Sequence, residues 1–316
     1  MQMIPTREAY GEALVEIGEK NKKIIVLEAD ISKSTRTIYF AKKFPERFFN
    51  VGVAEQNEMA VAAGIAATGK IPFVSTYAVF ASMRACEQVR TFIAYPRLNV
   101  KIAVSHGGLT AANDGVTHQA TEDIGIMRTI PNMTIIMPAD AVSTKKAVIA
   151  SVEYEGPVYL RFTRDSVPVL YDEDLKFEIG KSIMLRQGFD ATLIALGDMV
   201  SKALEAHNIL KEEGIGVRVL DMHTVKPIDK EAVIKAAVET GAIVTVEDHN
   251  IINGLGGAVA EVIVENELVP VKRIGLQDTF AESGEYEKLL TKYKMNVVDI
   301  INAVKLVIGR KKYAKK

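Results

Sequence analysis

The sequence predicts an α/β protein built from two doubly wound, mainly parallel-sheet domains, the second smaller than the first. Short apolar, β-branched runs alternate along the chain with longer segments of helical period, the pattern of βαβ units. The alternation breaks once, at "RDSVPVLYDEDLKFEIGKS", Arg164 to Ser182, which is polar and has neither helical period nor a long apolar run. A length of 316 residues with 48% hydrophobic content also favours two domains over one. The reading divides the chain into a first domain at 1–165, a linker at 166–185 and a second domain at 186–316.

In the first domain the expected strands are "KIIVLEAD", "FFNVGVA", "IPFVST", "NVKIAVS", "MTIIMPA" and "GPVYLRFT". Between them, "REAYGEALVEIGEK", "EQNEMAVAAGIAAT", "ASMRACEQVRTFIA" and "AVSTKKAVIASVEY" have the period and length of helices. After the break the strands are "ATLIALG", "GVRVLDM", "AIVTVED" and "VKRIGLQ". Their helices are "SKALEAHNILKEEG", "DKEAVIKAAVETG" and "GAVAEVIVENEL". No internal repeat or low-complexity segment interrupts either series.

With 39 basic against 40 acidic residues, no net field draws the chain to nucleic acid or to an acidic membrane surface. The C-terminal "GRKKYAKK" reads as a solvated helix end. Cys86 is the only cysteine, so no intrachain disulfide forms, which fits a reducing compartment; the residue itself reads as a small core or helix-face side chain. The N-terminal segment has no basic leader followed by an apolar core, and no apolar run reaches the length of a bilayer span. Cytoplasmic residence is the expectation.

In open parallel sheets, ligands bind beyond the carboxyl ends of the strands, so polar residues just after a strand are the site candidates. Asp30, Ser32 and Ser34 follow "VLEA", Glu55 follows "NVGVA", His106 follows "IAVS" before two glycines, and Arg164 follows "YLRFT". Acids, histidines, hydroxyls and a guanidinium converging there suit a polar, phosphorylated substrate. Taken singly, each residue also has a plainer explanation. Glu55 suits a helix start, where the dipole and first-turn amides favour an acid. Asp30 and Ser34 suit turns, Tyr77 and Phe80 suit a core, His106 and His118 suit loops, and Arg7 suits a first helical turn. "NIINGLGG" lacks both phosphate-loop signatures and reads as a tight strand-to-helix turn. His207, His223 and His249 lack metal-ligand spacing, and no H-E-x-x-H, G-x-S-x-G or Cys-His pairing occurs.

Taken in order, "PTREAY", "EADISKS", "VGVAEQN", "STYAVF", "SHGGLTAANDGVTHQATED" and "YLRFTR" resemble the pyrimidine-binding domain of transketolase. "LDMHTVKPID", "VTVEDHNIINGLGGAVAE" and "DTFAESGEYEKLLTKY" are similar to its C-terminal domain. The Gly-Asp-Gly motif of the family's diphosphate-binding domain does not occur, so the chain looks like the second subunit of a split transketolase. The resemblance implies thiamine diphosphate as cofactor, with Mg²⁺ held mainly by a partner N-terminal subunit in an α2β2 assembly. It implies transfer of a two-carbon ketol unit from a ketose phosphate to an aldose phosphate.

Residue by residue, Glu55 matches the glutamate that shares a proton with N1′ of the cofactor's pyrimidine. Tyr77 and Phe80 match the aromatics that stack on that ring, and Met83 stands where many transketolases place a third. Asp30 matches an acid near the cofactor across a dimer interface. His106, Asp114 and His118 match residues that contact sugar hydroxyls and assist proton transfer. Arg7, Ser34, His106 and Arg164 match the set that grips a terminal phosphate; Arg161 lies nearby, but the motif favours Arg164. Two relatives share the layout. The C-terminal half of 1-deoxyxylulose-5-phosphate synthase carries an acid where this chain has His106, and a 2-oxoacid dehydrogenase beta subunit is expected to carry an "ISE"-like motif where this chain reads "VAEQN". A non-catalytic scaffold would not need the sugar and phosphate residues.

Overall fold

The computed structural model describes residues 2–314. The closing helix, Val297–Ala314, runs into the basic tail, whose last two residues lie outside the described residues.

Two sheets organise the chain. In the larger, six parallel strands lie in the order Thr134–Ile136, Val158–Arg161, Lys101–Val104, Ile71–Ser75, Ile24–Glu28, Phe48–Asn50. Both faces are covered, and side chains along each strand alternate between two cores as the pleat requires. Ile24, Val26, Phe73 and Leu160 face the core beneath Thr6–Lys20 and Ala141–Glu153. Leu27, Val74, Ile102 and Tyr159 face the opposite core, which contains Met59 and Ala62 of helix Glu55–Ala67. The strand order reverses between Ile24–Glu28 and Ile71–Ser75, which opens a crevice at their carboxyl ends.

The smaller sheet runs Val271–Leu276, Ile243–Asn250, Ala191–Ala195, Val217–Asp221, Ile183–Arg186, the first four parallel. All ten expected strands and the α/β doubly wound class are present. Three features lay outside the sequence reading. Each sheet carries one antiparallel edge strand: Ile183–Arg186 in the smaller, and Thr224–Lys226, from the C-terminal half, beside Thr134–Ile136 in the larger. Ser166–Pro168 pairs antiparallel with Met3–Pro5. The 166–185 stretch therefore begins and ends in short strands. It is clasped between them: Asp140 accepts from the Leu170 and Tyr171 amides at 2.7 and 2.9 Å, and Phe177 stacks on His223 at 4.0 Å.

The expected helix "ASMRACEQVRTFIA" forms, but as wide π-type turns at Phe80–Arg84 and Val89–Ala94 around a single α-turn, Cys86–Gln88. Such turns recur at functional sites. The two halves share one continuous apolar core, with Leu27 and Val104 in the same cluster as Leu220, Val233 and Leu255. Among the described residues no helix is long and apolar enough to cross a membrane.

Candidate active site

The carboxyl ends of the larger sheet gather most of the expected residues. After Ile24–Glu28, the buried Glu28 carboxyl accepts from the Ile31 amide at 2.7 Å and from the Thr35 hydroxyl at 2.5 Å. Burial pushes its pKa up to about 7. These bonds fix the short helix Ser32–Thr35, and Arg7 Nη1, from the opening turn of Thr6–Lys20, donates to the Ser34 carbonyl at 3.0 Å. Burial, then Arg36 and Arg164, lower the Arg7 pKa.

The loop after Lys101–Val104 is the most constrained. His106 adopts φ +62°, uncommon for a side-chain-bearing residue and characteristic of functional loops. Its ring is buried, with Nδ1 2.9 Å from the Ser105 hydroxyl and Nε2 3.9 Å from Asp114 Oδ2. Burial first, then Arg7, Arg164 and His118, push its pKa down to about 3. The imidazole is therefore neutral at ordinary pH and offers one donor and one acceptor. The next two residues must be glycine for lack of room. A Cβ on Gly107 would lie 2.6 Å from Arg161 Nε, and one on Gly108 would lie 2.2 Å from Asp248 Oδ2.

Arg164 meets Asp114 at 3.2 Å and donates to the Ala111 carbonyl at 2.7 Å. Four rings complete the group. Tyr77 lies 4.1 Å from His106 and 5.7 Å from Phe80, and His118 lies 5.5 and 5.4 Å from Tyr77 and Phe80. Arg7, Ser34, Tyr77, Phe80, His106, Asp114, His118 and Arg164 thus form one cluster from five loops: cations, a hydroxyl, an acid and two imidazole rings, that of His106 neutral, beside half-buried aromatic faces. Such a cluster can hold a phosphate ester and exchange hydrogen bonds with hydroxyls.

Glu55 joins this cluster through Phe80. It opens helix Glu55–Ala67, as an acid at a helix start should, yet its side chain does not cap the helix. The carboxylate is buried, and both of its oxygens accept from Arg84 Nη1 at 2.9 Å, while the Arg84 guanidinium lies 4.4 Å from the Phe80 ring centre. Met83, beside it, is exposed. Asp30 stands apart: exposed at φ +66°, it accepts from Asn50 Nδ2 at 2.8 Å. Among the described residues no three His, Cys, Asp or Glu side chains come together as a metal-holding group.

Sequence reading missed the residues that hold the cluster in place. Asp248, from the smaller sheet, accepts the Leu109 amide on both carboxylate oxygens at 3.0 and 2.9 Å. Arg161 is fully buried, bonding Asp123 at 2.8 and 3.1 Å, the Ala120 carbonyl at 2.8 Å and the Asp248 carbonyl at 3.0 Å. The smaller domain also steadies the loop that bears His118, through Gln119 donating to the Glu282 carbonyl at 3.0 Å. A charged residue inside an otherwise apolar strand, as in "VYLRF", was the one available signal for Arg161; none marked Arg84.

Comparison with known proteins matches residues 2–169 to the family model "Transketolase, pyrimidine binding domain" and residues 180–300 to "Transketolase, C-terminal domain". A Methanocaldococcus jannaschii protein provisionally named a transketolase C-terminal section is 51% identical, with 92% of each chain covered. The 6-deoxy-6-sulfo-D-fructose transketolase subunit SqwH of a Clostridium species is 42% identical over 97% of this chain and 95% of its own. A solved structure described as a split gene transketolase, inactive beta4 tetramer, superposes with a TM-score of 0.92 at 52% identity, covering 98% of this chain and 99% of that one.

Proposed function

The chain belongs to the transketolase family, and from that premise we propose that it is the C-terminal subunit of a thiamine-diphosphate-dependent transketolase, with the Mg²⁺-diphosphate site supplied by a separate N-terminal subunit. What supports the division is that relatives named as a section or a subunit match this chain nearly end to end. The solved relative described as an inactive beta4 tetramer supports activity only in an assembly with the partner, for which the form proposed is α2β2.

The observation that carries the chemistry is the single cluster of cations, histidines and aromatic faces around the neutral His106, with a buried carboxylate at its edge. Half-buried Tyr77 and Phe80 present flat faces that fit an aminopyrimidine, worth about 0.5–1.5 kcal/mol beyond area burial. Glu55 sits where a carboxylate fits a ring nitrogen, and Met83 adds an apolar neighbour. Asp30, on the exposed side, would approach the cofactor from the second copy across an interface.

When bound, thiamine diphosphate supplies a nucleophilic thiazolium carbon that carries the two-carbon unit. Glu55 holds a proton at pyrimidine N1′ and so favours the reactive tautomer. His106 and His118 bind sugar hydroxyls and move protons at the ketose and aldose oxygens, with Asp114 orienting a hydroxyl between His106 and Arg164. Because His106 is neutral, it accepts a proton without first losing one. Arg7 and Arg164, with the Ser34 hydroxyl, grip the terminal phosphate of a ketose or aldose phosphate. The test is ketol transfer by the chain mixed with its N-terminal-type subunit, thiamine diphosphate and Mg²⁺. Activity in the mixture and in neither subunit alone is expected; activity of the isolated chain contradicts the split-enzyme reading.

A further inference from the structure

Arg84 covers two surfaces at once. Its Nη1 donates to both oxygens of Glu55, and its guanidinium lies over the face of Phe80. The Glu55 side chain is 3% exposed and that of Arg84 49% exposed, so the arginine reaches in from solvent and closes over a carboxylate that water barely touches. Wide π-type turns set residues four apart more nearly above one another than an α-turn does, which brings the Arg84 head onto the ring of Phe80. Among the described residues the guanidinium makes no other hydrogen bond or ion pair, so nothing else anchors it.

A guanidinium is planar, delocalised and cationic, and it presents N–H groups in its own plane. An aminopyrimidine sharing a proton at its ring nitrogen offers the same features: a flat face for an aromatic ring and an in-plane N–H for a carboxylate. The two surfaces that the proposed function gives to the pyrimidine are thus held by a side chain of matching shape and charge from the same chain.

We propose that Arg84 is an internal stand-in for the cofactor's pyrimidine, occupying Glu55 and Phe80 until the incoming ring displaces it. This rests on the assignment of Glu55 to N1′. The swing is inexpensive because half of the guanidinium already faces water, and the ion pair it breaks has one exposed member. Binding that must displace an internal competitor is weakened by the fraction of time the competitor holds the site. Arg84 therefore sets the cofactor concentration at which the subunit loads, and it shields the buried carboxylate before loading.

The test is calorimetric titration of thiamine diphosphate, at fixed Mg²⁺, into the complex of this chain with its N-terminal subunit. Arg84→Met should bind between about 1.5-fold and fivefold more tightly than wild type, the span of an ion pair with one half-exposed member. Arg84→Lys, which keeps the charge but loses the plane and the fork, should fall between them. Unchanged or weaker binding by folded Arg84→Met overturns the proposal; if that variant does not fold, failure of Arg84→Lys to tighten binding does so. Glu55→Gln in the same complex separates the two ideas. Retained ketol transfer by Glu55→Gln removes the N1′ assignment itself, whereas its loss together with an untightened Arg84→Met removes only the stand-in.

Discussion

Arg161 and Arg164 leave the same strand end and live in opposite surroundings. The Arg161 side chain is wholly buried, its donors spent on Asp123 and on the carbonyls of Ala120 and Asp248. The Arg164 side chain is 31% exposed and makes one ion pair, to Asp114, which is itself 33% exposed. One guanidinium seals the seam between the two halves of the chain; the other stays partly exposed, where the proposed function has it grip a phosphate. On the proposed function the difference separates residues that hold the site from residues that act in it, and the two kinds should fail differently.

The largest expected effect is on the sealed side. Arg161→Leu leaves the Asp123 carboxylate buried and unpaired and should cost about 3–5 kcal/mol in urea unfolding. Arg164→Leu should cost less than about 1 kcal/mol while raising KM for phosphorylated sugars. Equal losses of stability would break the comparison. Next come two glycines at positive φ. Gly108→Ala places a methyl against Asp248 at φ +61° and should cost about 1–3 kcal/mol or more. Gly52→Ala, at φ +77° with open space around it, carries only the backbone term of about 1 kcal/mol.

A third pair of effects is pH-dependent and opposite in sign. His106 has its pKa lowered to about 3, so it favours the folded state above its ordinary value of 6.5 and loses that contribution as the pH falls toward 3. Glu247, in the sealed region, accepts the Leu255 and Gly256 amides at 2.6 and 2.8 Å, and burial raises its pKa to about 7. Its contribution is present below 4.5 and is lost as the pH rises toward 7. Unfolding free energies measured across this range should show His106→Asn flattening the acid side and Glu247→Gln flattening the neutral side. Asn is chosen because it tolerates positive φ. Changes of the same sign in both variants would contradict the assignment of causes.

Most of the fold was legible because each parallel strand is a short β-branched run closed by polar residues, as in "KIIVLEAD" and "NVKIAVS". The edge strands were not. Thr224–Lys226 sits in a polar stretch, and its pairing with Thr134–Ile136 depends on how the two halves pack, which local pattern does not encode. The same limit applies to the site. Residues at strand ends, such as His106 and Arg164, follow from the rule that ligands bind there. Asp248 reaches the Leu109 amide across 139 residues of sequence, and no spacing announces such a contact. Arg84 was hidden for another reason: an arginine on an exposed helical turn is ordinary until the turn widens and a buried glutamate lies beneath it.

The central claim is that Glu55 acts on the cofactor rather than on the fold. Ketol transfer by the reconstituted complex, compared between wild type and Glu55→Gln with unfolding curves recorded on the same preparations, tests it most directly. The account predicts a fall in turnover of about 10²–10⁴-fold with stability changed by less than about 1 kcal/mol, since the ion pair lost has a half-exposed partner. Near-normal turnover of a folded Glu55→Gln complex would contradict it.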